Sequence, residues 1–425
     1  MAVSTPKTYR NQVLYSVFVR NYSQEGTFEA VRQDLDRIQS LGVDILWLMP
    51  IHPIGEKARK GTWGSPYAAK DFRAITPDFG TKEDLMRLVA TAHEKGMKVI
   101  MDIVYNHTAP DSWLADNHPE WFYHKPDGSF GNKVGDWYDI IDLDYTQKGL
   151  WDYQIETLKQ WAAIVDGFRC DASPLIPLAF WEKARQEVEA VRPGCIWLAE
   201  TVEPHFIRFL RSVGMIGHSD AESFQVFDMS YEYDSYVVWR QYLQGEIPLS
   251  TYTEALNWQE SIYPDNYVKL RFLENHDRPR AHQNIPDEKM LRNWTAFLYF
   301  QKGMTMIFNG QERCDPHRPQ LFEKDPVDWS AGTDISAFLR KLYEIKQDPL
   351  FADSAYEVKA LPRDVIAASH TKGDRQLLGW FSVRGESTMI KTDLPDGVYE
   401  NLLGGKVDIF EGSFGLTGDP VIIRR

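Results

Sequence analysis

Eight short apolar runs alternate with stretches of helical period, and this alternation constrains the fold more than any other feature of the chain. The runs lie at 13–19, 43–49, 97–102, 165–170, 195–200, 222–227, 268–273 and 304–308, and each reads as too apolar to expose a face. Strands buried on both faces belong to parallel sheets whose strands are joined by right-handed crossovers. Eight such units imply a closed (β/α)8 TIM barrel, an α/β fold. The helical stretches fit between them, for instance 82–95, which Gly96 ends before the third run, and 178–191, which Arg192, Pro193 and Gly194 end before the fifth.

A barrel of this kind needs about 250 residues, and the chain has 425. The remainder falls in two places. After the third run, residues 105–145 are irregular and rich in Trp and Tyr, which reads as a short domain inserted into the barrel. From about residue 356 the pattern changes to short β-rich runs, such as 376–383 and 398–403, separated by Gly, Asp and Pro, as in a small antiparallel β-sandwich. The domains expected are a barrel over 1–104 and 146–350, an inserted domain over 105–145 and a C-terminal β-sandwich over 351–425. Residues 52–80, rich in Gly, Pro and aromatics, read as a long functional loop.

A net charge of −14 with no basic patch argues against nucleic acid or an anionic membrane as a partner. No run reaches the roughly 18 apolar residues of a membrane span, and the first residues form no apolar signal segment, so the sequence reads as cytoplasmic. Cys170, Cys195 and Cys314 have no metal-ligand spacing and read as reduced packing residues. Oligomeric state stays open.

In a β/α barrel, chemistry gathers at the C-terminal ends of the strands. Four expected strands end in ionisable clusters: Asp102 to His107, Arg169 with Asp171, Glu200, and Glu274-Asn275-His276-Asp277. Each alone suits a helix cap or an ordinary loop contact. Together they would place at least three carboxylates, two histidines and an arginine in one cavity, which is costly to build for stability alone. Two carboxyl groups of different pKa, one steadied by a cation, suit glycoside cleavage. On this reading Arg169 keeps Asp171 ionised as the nucleophile. Glu200, leaving the apolar Ile196-Trp197-Leu198-Ala199 run, has the raised pKa of a general acid and base. Asp277 would counter positive charge in the transition state.

The stretches Asp102-Ile-Val-Tyr-Asn106-His107, Gly167-Phe-Arg169-Cys-Asp171, Leu-Ala-Glu200 and Glu-Asn275-His276-Asp277 resemble, in order, the four signature regions of the α-amylase family of retaining glycoside hydrolases. The likeness extends to Gly42 through Pro50, to Trp63-Gly64-Ser65-Pro66-Tyr67 and to Gly303 through Glu312, so it spans the barrel. It implies Asp171 as nucleophile, Glu200 as acid/base and Asp277 as transition-state stabiliser. It further implies His107, Arg169 and His276 around the cleaved sugar, Tyr67 as its stacking platform and Asp102 as a support of the site. The resemblance also implies a structural Ca²⁺ with Asn106 and Asp142 as oxygen ligands; the alternative is that both bond loop backbone without metal. No organic cofactor is implied.

After Asp171 the chain reads Ala172-Ser173-Pro174-Leu175, where amylases of the family commonly carry a Lys-His pair on the acceptor side. The expected activity is hydrolysis of α-glucans or maltooligosaccharides through a covalent glycosyl-Asp171 intermediate. An α-glucanotransferase would use the same three residues, and a non-catalytic carbohydrate-binding barrel is a third alternative.

Overall fold

The computed structural model describes residues 4–134 and 137–425. Eight parallel strands close into a barrel: β1 Val13–Val17, β2 Ile45–Leu48, β3 Lys98–Ile103, β4 Gly167–Cys170, β5 Ile196–Ala199, β6 Met229–Tyr231, β7 Lys269–Arg271 and β8 Met304–Phe308. Around the barrel they run β1-β8-β7-β6-β5-β4-β3-β2, so the first and last strands are neighbours, with Val13 opposite Thr305. Asp102 of β3 lies opposite Arg169 of β4, which lies opposite Leu198 of β5. The register alone therefore brings two of the ionisable clusters side by side.

Nearly every strand residue is buried, as the absence of polar alternation requires. Trp47 and Trp197 from strands and Trp181 and Trp294 from helices are the largest fully buried side chains. Gly167 opens β4 because a side chain there would overlap the Ile196 carbonyl at 2.3 Å, so glycine permits the close approach of β4 to β5. The helix Lys82–Glu94 begins at a capping box, with the Thr81 hydroxyl accepting the Asp84 N–H and the Asp84 carboxylate accepting that of Thr81.

The sixth strand is not where the sequence pattern put it. Residues 222–227 were expected to form it, yet Ser219 and Glu222 make a capping box that starts a helical turn, Asp220–Ser223, and the strand follows at Met229–Tyr231. Local side-chain bonds to backbone outcompete extended structure there. The first strand also ends earlier than expected, because Val19 begins a short helix, Val19–Tyr22.

In the inserted segment His107–Thr108 pairs antiparallel with Ile141–Asp142. At the C-terminal end β9 Ala355–Leu361, β10 Val365–Lys372 and β11 Arg375–Ser382 are followed by β12 Thr388–Lys391, β13 Gly397–Glu400, β14 Lys406–Ile409, β15 Ser413–Leu416 and β16 Val421–Arg424. They form an antiparallel sheet β9-β10-β11-β16 and two pairs, β12-β15 and β13-β14. Trp380, Ile390, Ile409 and Phe414 lie in a second core of their own. No described helix is long and apolar enough to cross a membrane.

Candidate active site

A cleft of about 480 Å³ opens at the C-terminal ends of the strands, lined by Tyr67, His107, Asp171, Glu200 and Asp277 among others. Beneath it lies Arg169, fully buried, whose Nη1 donates to Asp102 Oδ1 and Asp171 Oδ1, each at 2.9 Å. Its Nη2 stands 2.7 Å from Glu200 Oε1 as an ion pair. One guanidinium thus orients three carboxyl groups, two of which reach the cleft. Asp102 is fully buried and also accepts the Tyr67 hydroxyl at 3.0 Å. Arg169 and Asp102 are therefore the floor of the site.

The other expected residues converge on the same place. Tyr67 lies flat against His276, with ring centres 5.3 Å apart and planes 16° apart, and its hydroxyl is 2.8 Å from His276 Nε2. One ring face is thereby spent on His276, and Tyr67 still lines the cleft. His276 Nε2 is also 3.0 Å from Asp277 Oδ2. Asn275 shapes this turn: its Oδ1 accepts the Asp277 N–H at 2.9 Å and its Nδ2 donates to the Tyr233 hydroxyl at 3.0 Å. Glu274 points elsewhere, to Arg280 and the Ala281 N–H.

Ala172, next to the nucleophile candidate, has φ 44° and occupies the left-handed region. That conformation is uncommon for a residue with a side chain and costs of order 1 kcal/mol or more. It turns the Ala172 N–H to donate to Glu200 Oε2 at 2.8 Å. Glu200 is thus held at one oxygen by backbone and at the other by Arg169.

Burial pushes the Glu200 carboxyl up to about 7; Arg169 pulls it down, while Asp171 and Asp277 add to the rise. Asp171 is also pushed above the ordinary carboxylate value, because its burial outweighs the pull of Arg169. The sequence expectation, that Arg169 keeps Asp171 ionised, does not include this effect of burial. Asp277, whose side chain is 41% exposed, is pulled down to about 2 by His276 and then by Arg169 and Arg278, which outweigh its partial desolvation. Burial lowers the His107 imidazole, keeping it toward the neutral form.

Asn106 and Asp142 meet beside His107. The Asn106 carbonyl accepts the Leu143 N–H at 3.0 Å, its Nδ2 is 3.3 Å from His107 Nδ1, and Asp142 Oδ2 accepts the Lys133 N–H at 2.7 Å. Asp142 Oδ1 is buried without a hydrogen-bond partner. An orphaned carboxylate oxygen fits one edge of a hard-cation site. Among the described residues no cluster of three or more His, Cys, Asp and Glu completes it.

Leu175, of the stretch where the Lys-His pair is absent, lines the cleft with Val202, Glu203 and Phe206, and Glu203 pairs with Arg278. These residues carry no motif. Their proximity in sequence, Leu175 to Asp171, Val202, Glu203 and Phe206 to Glu200, and Arg278 to Asp277, is the signal that marks them.

The alpha amylase catalytic domain family matches the chain at residues 12–141 and 116–352, and the bacterial alpha amylase C-terminal domain family at 357–423. A crystal structure of an alpha-amylase from Lactobacillus plantarum is 46% identical with a TM-score of 0.97, covering 99% of this chain and 100% of that one. A noncanonic maltogenic alpha-amylase, AmyB, from Thermotoga neapolitana is 32% identical with a TM-score of 0.87, covering 98% and 99%. Among curated proteins, alpha-amylase MalA of Haloarcula japonica is 26% identical over 98% of this chain and 62% of its own length. An alpha-1,4-glucan:maltose-1-phosphate maltosyltransferase of Rhodospirillum rubrum is 30% identical over 76% of this chain and 48% of its own length. The chain spans less than two thirds of the length of these two curated relatives. With the barrel, the C-terminal sheets and both family matches in agreement, the chain belongs to the α-amylase family.

Proposed function

We propose that the protein is a retaining α-glycosidase that hydrolyses α-glucans or maltooligosaccharides. The observation that carries this reading is that Asp171 and Glu200, two carboxyl groups reaching the cleft, lean on one Arg169 guanidinium. Sharing one cation supports the short spacing of a retaining pair, about 5 to 5.5 Å, over the wider gap of an inverting one. Asp171 attacks the anomeric carbon while Glu200 gives its proton to the departing glycosidic oxygen. Glu200 then takes a proton from water, whose oxygen attacks the same carbon and frees Asp171, so two inversions leave the α configuration. Asp277, ionised throughout, offsets the charge of the oxocarbenium-like transition state.

Transfer to a sugar hydroxyl instead of water is the second reading. Leu175, Val202 and Phe206 in the cleft lining, and the similarity to maltosyltransferases, favour it. Ca²⁺, where bound, would be held by Asn106 and Asp142 and would tie the inserted segment to the barrel, with no part in bond cleavage. The three buried, unpaired cysteines support a reducing, cytoplasmic setting. Time-resolved product analysis on maltoheptaose tests the whole, with Asp171→Asn as control. Shorter α-configured sugars alone support hydrolysis, sugars longer than the substrate support transfer, and no turnover by the wild type on α-glucans overturns both.

A further inference from the structure

We propose that the Lys60–Asp139 ion pair is a stop at the glycone end of the cleft, so that the enzyme removes short units from non-reducing chain ends rather than cutting within chains. The inference rests on the retaining α-glucan reading above and deepens it.

The direction of the cleft follows from the barrel. Asp171 and Glu200 leave β4 and β5, and the leaving group must lie toward Glu200, which protonates it. The sugar attacked by Asp171, and any units attached to its non-reducing side, therefore run the other way. The opposite side of the barrel is formed by β8, β1 and β2, which are contiguous in the strand order. The loops of these three strands are laced together there. Trp63 N–H donates to the Phe322 carbonyl at 3.0 Å, and Thr62 N–H to Glu323 at 2.9 Å. Arg20, after β1, donates from one nitrogen to the carbonyls of Gly64 at 3.0 Å and Leu321 at 3.2 Å.

Lys60 extends this wall to the inserted segment. Its Nζ stands 2.7 Å from Asp139 Oδ1, with the Asp139 side chain 5% exposed, and lies over the rings of Tyr138 and Phe322. Lys60, Asp139 and Phe322 all line the same cleft as Asp171 and Glu200. Two loops distant in sequence are thus bridged across the path of a glycone chain. At the far end, where Glu203 pairs with Arg278, Phe206 lines the cleft, and Phe209, its ring within 20° of parallel to that of Phe206, is 48% exposed on the outer surface. That exposed aromatic surface suits a long chain on the leaving-group side, since a sugar ring packs its apolar face on an aromatic one.

The test compares maltoheptaose with a p-nitrophenyl maltoheptaoside whose non-reducing end is blocked by an ethylidene group, and reads the ratio of kcat/KM on the blocked to the free substrate. The wild type is expected to strongly prefer the free substrate and to release short products of uniform length. Lys60→Ala and Asp139→Ala are each expected to raise the blocked-to-free ratio by about tenfold or more. The exchanged pair, Lys60→Asp with Asp139→Lys, is expected to return it toward the wild-type value, which a merely structural role would not do. Asp139→Asn keeps the shape without the charge and gives the answer should the alanine variants fail to fold. A wild type that cleaves both substrates equally, or variants that leave the ratio unchanged, overturns the stop while leaving the glycosidase reading intact. A wild type inactive on both and on shorter maltooligosaccharides overturns the glycosidase reading, and the stop with it.

Discussion

Arg169 Nη2 stands 2.7 Å from Glu200 Oε1, so the candidate proton donor is held by the same guanidinium that orients the candidate nucleophile Asp171. The contact is close but lacks hydrogen-bond alignment, Nη2 having no hydrogen-bond partner. Charge therefore draws Glu200 inward without a directional bond that would compete with the glycosidic oxygen. Ala172 supplies the directional bond from the other side, at the cost of its left-handed backbone. The remaining electrostatics follow from depth: the cation is buried, and each carboxyl group is perturbed according to how much burial its share of that charge offsets.

The alkaline limit of activity should report Glu200. The first step needs its proton, and burial raises its carboxyl to about 7, so kcat/KM on a maltooligosaccharide should fall as pH rises through about 7. Asp171 must be ionised, and its pKa lies above the usual carboxylate value, so the acid limb should lie above that value as well. Glu200→Gln should lose about 10²- to 10⁴-fold in kcat, with a smaller loss on a glycosyl fluoride, whose leaving group needs no proton. Equal losses on both substrates would remove Glu200 from the acid role.

Lys269, fully buried, pairs with Asp220 and stands 3.1 Å from Asp234. Burial raises Asp220 to about 6, and Lys269 opposes that rise. Lys269→Met would leave two buried carboxylates facing one another. It should destabilise the protein by about 3 to 5 kcal/mol at neutral pH. Denaturant titration measures this, and the loss should shrink as pH falls and Asp220 takes up a proton, which without Lys269 happens above the value of about 6 that it has beside that lysine. A pH-independent loss would point to packing instead.

His370 couples the C-terminal sheets to the barrel. Its Nε2 is 2.9 Å from the Phe300 carbonyl and its Nδ1 3.0 Å from the Ser354 hydroxyl, and burial lowers its pKa from 6.5 to about 3. Below pH 6.5 the unfolded chain takes up a proton that the folded one refuses until about 3. Its contribution to stability is therefore full above 6.5 and is lost progressively as pH falls, by at most about 1.4 kcal/mol per pH unit. The slope of stability against pH between 6 and 4 should be shallower in His370→Gln than in the wild type. An identical slope would assign the acid lability to other groups.

Calcium held by Asn106 and Asp142 would show in thermal melts. Removal of metal by a chelator should lower the melting temperature, Ca²⁺ should restore it, and Asp142→Asn should abolish the difference. Superimposable melts in chelator and in Ca²⁺, for the wild type, would leave Asp142 as a bond to the Lys133 backbone without metal.

The barrel and the identity of the candidate catalytic carboxyls are legible in the chain alone. Both are written in local pattern: apolar runs too uniform for a solvent face, and charged residues at their C-terminal ends. Strand β6 was misplaced because Ser219 and Glu222 form a cap that an apolar pattern does not show. What only the tertiary structure decided is depth and closure. Arg169 and Asp102 lie under the cleft rather than in it, and Asp171 is pushed up by burial rather than held at an ordinary value. Lys60 finds Asp139 across two loops with no shared motif. Burial and contact between distant loops are sums over many residues brought together by the closed sheet, so no stretch of sequence carries them on its own.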